Sequence, residues 1–177
     1  MPRYLYAFDL AMENTGLVIF NLDTYEPVLI TTIHTDPKQP HGVRLHHLRQ
    51  EIVKLGKPYV PSEVVFERGF GRFHNETQAI FKAHGVVSEL FHLYPQIYYA
   101  PKKIKLIVGG SGNATKKKLA EIISQKYPHL VFIDNDQTDA YSVGIVHMAL
   151  VHGMPWDIPA TPKKSRKRKL TKTSINE

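Results

Sequence analysis

Four carboxylates stand far apart in this chain, each where a carboxylate needs a reason. Asp9 interrupts the apolar stretch YLYAFDLA (4–11). Glu67 ends SEVVFE (62–67) and precedes Arg68-Gly69-Phe70-Gly71. Asp136 and Asp139 belong to DNDQTDA (134–140), which crowds three aspartates into six positions at the mouth of an apolar run. A buried carboxylate is costly unless it is paired or bound to a cation. Strand alternation leaves Asp9 equally free to face solvent or a site. Glu67 could be a strand-end charge paired with Arg68 or Arg72, or it could stand where open α/β sheets place ligands. Asp136 and Asp139, three apart, share one helix face. Asp134 or Asn135 better suits the N-cap, so capping accounts well for one aspartate and less well for two on one face.

Taken together, Asp9, Glu67, Asp136 and Asp139 form an oxygen-only ligand set, which suits a hard cation, Mg²⁺ or Mn²⁺. Two such ions about 3.5 to 4 Å apart can clamp a scissile phosphate and activate a water. Their charge would also let a polyanion approach an acidic pocket. The chain has no cysteine, which excludes disulfides, thiolate metal sites and a cysteine nucleophile. None of its ten histidines shows zinc-like spacing.

Cationic and aromatic candidates flank the carboxylates. Lys102, Lys103, Lys105, Lys116, Lys117 and Lys118 come without an acid between them and surround GGSGN. They read either as a phosphate-contacting loop with a helix start facing the anion or as a solvated lysine face. GGSGNATKKK lacks the Gly-Lys-Ser/Thr of a P-loop. Phe70, Arg72 and Phe73 follow Glu67 in a glycine-flanked loop. Exposed aromatics there could wedge between bases, or tuck into the core.

The elements that must carry these residues are readable from periodicity. Strands are expected at 3–10, 16–23, 27–35, 62–67 and 96–100, the first three as an antiparallel meander. Helices are expected at 41–56, around 74–92, at 115–127 and at 136–153. The segment 101–114 reads as a basic stretch running into a glycine-rich loop, and LVFID (130–134) as short and apolar. Strands first, then alternating helices and strands, predict an α/β domain with a mixed sheet. A hydrophobic fraction of 42% over 177 residues supports one domain, here 1–157, plus a tail, 158–177. Disorder is expected from about residue 160. The formal charge of +7 sits mostly in that tail: residues 163–177 hold seven Lys/Arg and one acid, leaving 16 basic and 15 acidic residues elsewhere. The tail could contact DNA, act as a nuclear address or aid solubility, and the first is favoured. No apolar run is long enough to cross a membrane, and the first residues lack a signal-peptide layout.

With those residues in place, the chain resembles the RuvC family of Holliday junction resolvases, in its bacteriophage-type branch. Asp9 with Thr15-Gly16, VVFERGF with Glu67 and Phe70, AHGVV (83–87), IKLIVGGSGNATK with Lys105 and Lys116, and DQTDA with Asp136 and Asp139 match its motifs in order over residues 4–152. The stretch after Asp9 departs from the family's glycine-serine pattern: it is LAMEN, which adds Glu13. The resemblance implies an RNase H-like mixed five-stranded sheet flanked by helices. It implies a homodimer that makes paired, metal-dependent nicks across four-way and related branched DNA, with two Mg²⁺ or Mn²⁺ per active site and no small-molecule cofactor. Asp9 would bridge both metals, Glu67 and Asp139 would hold one each, and Asp136 would complete a site or orient a ligand. Lys105 and Lys116 would grip the DNA backbone. Phe81, off the main apolar stripe of the 74–92 helix, is a candidate dimer contact. A bacterial cytoplasm is the implied setting. The rival expectations are an RNase H-like nuclease for flaps or RNA–DNA hybrids, a non-cleaving junction-binding module, and an RNA-binding or ribosome-processing relative.

Overall fold

In the computed structural model, residues 1–69 and 74–157 are described, with side chains of 74–76 left aside. The first three strands are β1 (Tyr4–Asp9), β2 (Asn14–Asn21) and β3 (Glu26–His34). They form the expected meander: Asp9 pairs with Gly16 and Tyr4 with Asn21, both antiparallel, and β3 extends the sheet beyond β2. Helix α1 (His41–Gly56) then crosses to β4 (Pro61–Glu67), which pairs with β1 in parallel. Helix α2 (His74–Leu90) leads to β5 (Gln96–Tyr99), parallel to β4. The sheet order is β3-β2-β1-β4-β5. The mixed five-stranded sheet is therefore as the sequence predicted, with β1 at its centre.

A central strand is buried on both faces, and β1 divides the core in two. Leu5 and Ala7 point to one side, with Val18, Phe20 and Val65. Tyr6 and Phe8 point to the other, with Leu17, Ile19, Val64 and Phe66, against α1 and α2. The first face is covered by α3 (Pro101–Gly109), α4 (Lys116–Lys126) and α5 (Asn135–Val151).

Helix α3 adds to the sequence reading, which made 101–114 a basic stretch running into a glycine-rich loop and expected no helix there. Pro101 stands at the helix's first position, where its missing N–H costs nothing. Ile104 and Val108, four apart, bury one face, and Gly110 closes the helix with φ of 77°. The lysines occupy the opposite face. LVFID lies outside any strand, with Val131 80% and Ile133 85% exposed.

Helix α5 is buried all round from Gln137 to Met148, as a helix inside a layered fold must be. Two glycines let it lie close on β2. A Cβ at Gly144 would meet the Phe20 ring at 2.2 Å, and one at Gly16 would meet the Asp136 carbonyl oxygen at 2.0 Å. Phe70, Arg72, Phe73 and the tail 158–177 lie outside the described residues.

Candidate metal and nucleic-acid site

Sheet alternation and two strand ends place the carboxylates. Asp9 lies two residues past Ala7, so it shares the α5 face of β1. Glu67 lies two past Val65, on the same face of the parallel neighbour β4. Both end their strands at the edge where α5 begins. The turn after Asp9 is fixed by Thr15, buried at 1% exposure, whose hydroxyl donates to the Ala11 carbonyl at 2.7 Å. Gly16, the register partner of Asp9, leaves the space in which the Asp136 backbone sits.

The N-terminus of α5 divides its aspartates by role. Asp134 is the N-cap: its Oδ1 accepts from the Gln137 N–H at 2.9 Å, and its Oδ2 accepts from the Thr32 hydroxyl at 2.7 Å. Gln137 in turn accepts from the Ile133 N–H at 2.9 Å. The side-chain cap is therefore supplied by Asp134, without Asp136 or Asp139. Asp139 is 7% exposed and pairs with the Lys116 ammonium.

The electrostatics show that the four acids act on one another. Asp9 is pushed up to about 7, first by burial, then by the charges of Glu67, Asp139 and Asp136, with Lys116 opposing. Burial and Asp139 raise Glu67, against Lys116 and Lys105. Burial raises Asp136 as well, with Asp134 and Asp139, against Lys116 and His34. Burial alone would lower Lys116, but its bond to Asp139 and the charges of Asp139, Asp9 and Glu67 leave it raised. A group of carboxylates held in this mutual repulsion stabilises a bound cation, and one ammonium does not neutralise it. Oxygen-only donors of this kind fit a hard divalent ion.

The structure also sorts the cations. Lys116 begins α4, where Thr115 caps the helix, and Lys105 projects from α3; these two act on the carboxylates. Lys102, Lys103 and Lys117 are exposed, with the Lys103 ammonium 5.5 Å from the centre of the Tyr99 ring. Glu13 is exposed, and Arg68 is held through its N–H to the Tyr99 carbonyl. Phe81 is 58% exposed on α2. A cleft of about 240 Å³ between Tyr6, Ile52, Leu90 and Phe91, and one of about 300 Å³ beside His34, Arg44 and His47, include none of the four acids.

One cluster was not legible in the sequence. Glu63, His147 and His152 place ligand atoms within 4.8 Å of one another. His147 and His152, with four residues between them, do have a spacing that zinc sites use, which corrects the sequence reading of the histidines, while Glu63 carries no local signal. They converge because His152 has left the helix, with φ of −104° and ψ of 2°.

No family model matches the chain. The crossover junction endodeoxyribonuclease RuvC of Cytophaga hutchinsonii is 34% identical to it over 142 residues, 75% of this chain and 68% of that protein. The chain belongs to the RuvC family. The RuvC of Bacteroides fragilis is 29% identical over 116 residues, 60% of either chain. The fold agrees: Thermus thermophilus RuvC, solved in complex with a Holliday junction substrate, superposes with a TM-score of 0.70 over 82% of this chain and 92% of that one, at 18% identity. The sheet and its helices are thus the RNase H-like fold of RuvC. These RuvC relatives are bacterial, so the bacteriophage-type branch expected from the motifs gains no support. Among the described residues, no helix is long and apolar enough to cross a membrane.

Proposed function

We propose that this chain is a structure-specific endodeoxyribonuclease that resolves four-way DNA junctions by paired hydrolysis of phosphodiesters. The observation that carries the reading is the convergence of Asp9, Glu67, Asp136 and Asp139 into one electrostatically coupled group beside Lys105 and Lys116. Membership of the RuvC family supports the substrate. Asp9, Glu67, Asp136 and Asp139 would hold the divalent metal, two Mg²⁺ or Mn²⁺ per site. The metal would supply the positive charge that activates a water and offsets charge building on the scissile phosphate.

The chain's own residues do the rest. Asp9 and Glu67, fixed on adjacent strands, set the floor of the site. The buried Asp139 carboxylate, held by Lys116, stays oriented before DNA arrives. Lys105 and Lys116 attract the phosphate that the acids would otherwise repel, and exposed Lys102, Lys103 and Lys117 extend that attraction along the strand. Phe70, Arg72 and Phe73 remain the candidates for contact at the crossover. Phe81 on α2 is the candidate contact in a homodimer, which would present two sites to one junction. The setting would be a bacterial cytoplasm. The nuclease body would comprise 1–157 and the basic tail 158–177.

The reading is tested by presenting a synthetic four-way junction, linear duplex, flap and RNA–DNA hybrid, each with Mg²⁺ and with chelator. Paired, Mg²⁺-dependent nicks near the crossover are expected. Cutting confined to the flap or hybrid would move the substrate and keep the site. Binding without cutting of any substrate would contradict the enzymatic reading.

A further inference from the structure

The end of α5 opposite the four acids carries the Glu63, His147 and His152 cluster. Glu63 lies four residues before Glu67 on β4, about 13 Å away along the strand. His147 lies eight residues after Asp139, about 12 Å along the helix. Glu63 faces α5 as Val65 and Glu67 do. Its two carboxylate oxygens divide between two rings: Oε2 is 2.6 Å from His147 Nε2, and Oε1 is 2.9 Å from His152 Nε2.

The two rings are not equally satisfied. His147 Nδ1 is 2.9 Å from the Tyr99 hydroxyl, so both its nitrogens have partners. His152 Nε2 is buried and close to the carboxylate, yet it makes no hydrogen bond, because the oxygen lies out of the direction in which an N–H would point. A buried ring nitrogen left without a partner is costly. A lone pair aimed at a shared cation removes that cost.

From this geometry we infer that Glu63, His147 and His152 form a second, separate site for one divalent transition ion, with Zn²⁺ the ion of choice. Two imidazoles and a carboxylate suit zinc, whereas the four oxygen donors at the other end suit magnesium. The supporting contacts are already built. The Tyr99 hydroxyl can accept from His147 Nδ1–H, which turns the Nε2 lone pair toward the cluster. The Tyr25 hydroxyl donates to the His152 carbonyl at 2.7 Å and pins the backbone that carries the third ligand. Ligand atoms around tetrahedral zinc stand about 3.3 Å apart. The ion therefore enters by a small outward turn of the rings, as His147 changes tautomer and its proton passes from Nε2, beside Glu63, to Nδ1, beside the Tyr99 hydroxyl. Three protein ligands leave a fourth position for water. The bound ion would tie the end of α5 to the strand that carries Glu67.

The full chain, stripped with chelator, is titrated with Zn²⁺ alone by calorimetry, and separately with Co²⁺ by visible absorption. To silence the oxygen site, the titrations are repeated with D9N/D139N. One ion per chain is expected in D9N/D139N, and at least that one in the unmodified chain, with the intense absorption of a four-coordinate nitrogen-containing Co²⁺ site. His152→Ala, at a helix end, and the isosteric Glu63→Gln should each weaken Zn²⁺ at least about tenfold while circular dichroism stays unchanged. Unaltered Zn²⁺ affinity in both variants would place the ion elsewhere and overturn the inference. So would failure of the unmodified chain to bind Zn²⁺, or loss of the bound ion in D9N/D139N. Should either variant unfold, the other decides.

Discussion

Helix α5 and strand β4 run side by side and carry a cluster at each end, and the two clusters are chemical opposites. At one end, Asp9 feels the charges of Glu67, Asp139 and Asp136, all acids, with Lys116 as the paired cation. At the other, Glu63 meets His147 and His152, two imidazoles. The helix dipole suits each end, favouring anions at the N-terminus and a bound cation at the C-terminus. Yet the dipole does not relieve the acids: burial and mutual repulsion still push Asp9 to about 7. The first cluster is a held repulsion, which a divalent ion releases. The second nearly satisfies itself, so an ion there would chiefly add rigidity. The company a carboxylate keeps, more than its type, decides what it can do.

The sharpest way to break this contrast is to change one acid at each end. Asp9→Asn should cut junction cleavage on the order of a thousandfold. Without metal at pH 7.5, it should also raise thermal stability, because a repelled buried charge is gone. Glu63→Gln should leave the cleavage rate within about twofold, since it touches the other cluster. Equal losses from both substitutions would erase the distinction between the two ends.

A packing change tests how the acidic end is assembled. Gly16→Ala would drive a methyl into the Asp136 backbone, which belongs to a buried helix and has no room to retreat. A loss of about 1 to 3 kcal/mol in chemical denaturation is expected, with cleavage falling further than stability explains. Unchanged stability would mean that the helix start does not depend on this approach.

The repulsion itself has a pH signature. Asp9 ionises near 7 in the folded chain against an ordinary value of 3.8. Between those values the folded chain holds a proton that the unfolded chain has lost, so stability falls as pH rises through that window. Burial raises Glu67 and Asp136, which add to the same direction. Metal-free thermal midpoints should therefore be higher at pH 5 than at pH 7.5, and Mg²⁺ should close much of the gap at pH 7.5. A midpoint that climbs across this range without metal would show that the acids are already neutralised. The smallest effect is expected from removing 163–177. Junction binding should weaken, and its salt dependence should flatten by about 0.9 for each phosphate that the tail no longer neutralises. An unchanged slope would remove the tail from the interface.

The acidic end was largely legible in the sequence, and the other end was not. The short apolar runs in YLYAFD and VVF and the longer one after DQTDA point to the strands and the last helix, and a site on strand ends and a helix start follows from them. The cap is legible down to Asp134 or Asn135, because capping is a local matter between neighbours, and the structure selects Asp134. Helix α3 is hidden because three lysines and a following glycine pair outweigh Pro101 and the spacing of Ile104 and Val108. The order of the sheet, with β4 beside β1, depends on parallel pairing across long connections, which local periodicity does not encode. Glu63, His147 and His152 are hidden because their convergence needs that parallel pairing and the non-helical turn of His152. Gly16 is legible only as part of a motif. Its physical reason, the approach of the Asp136 backbone, appears only in three dimensions.

The most direct test of the account is Asp139→Asn, with Mg²⁺-dependent junction cleavage, junction binding in chelator and circular dichroism measured on the same preparation. The account predicts cutting reduced on the order of a thousandfold, with binding and the folded signal retained. Cutting at the original rate would contradict it. Loss of the folded signal would contradict it as well, by making the pair between Lys116 and Asp139 a support of the helix rather than part of a metal site.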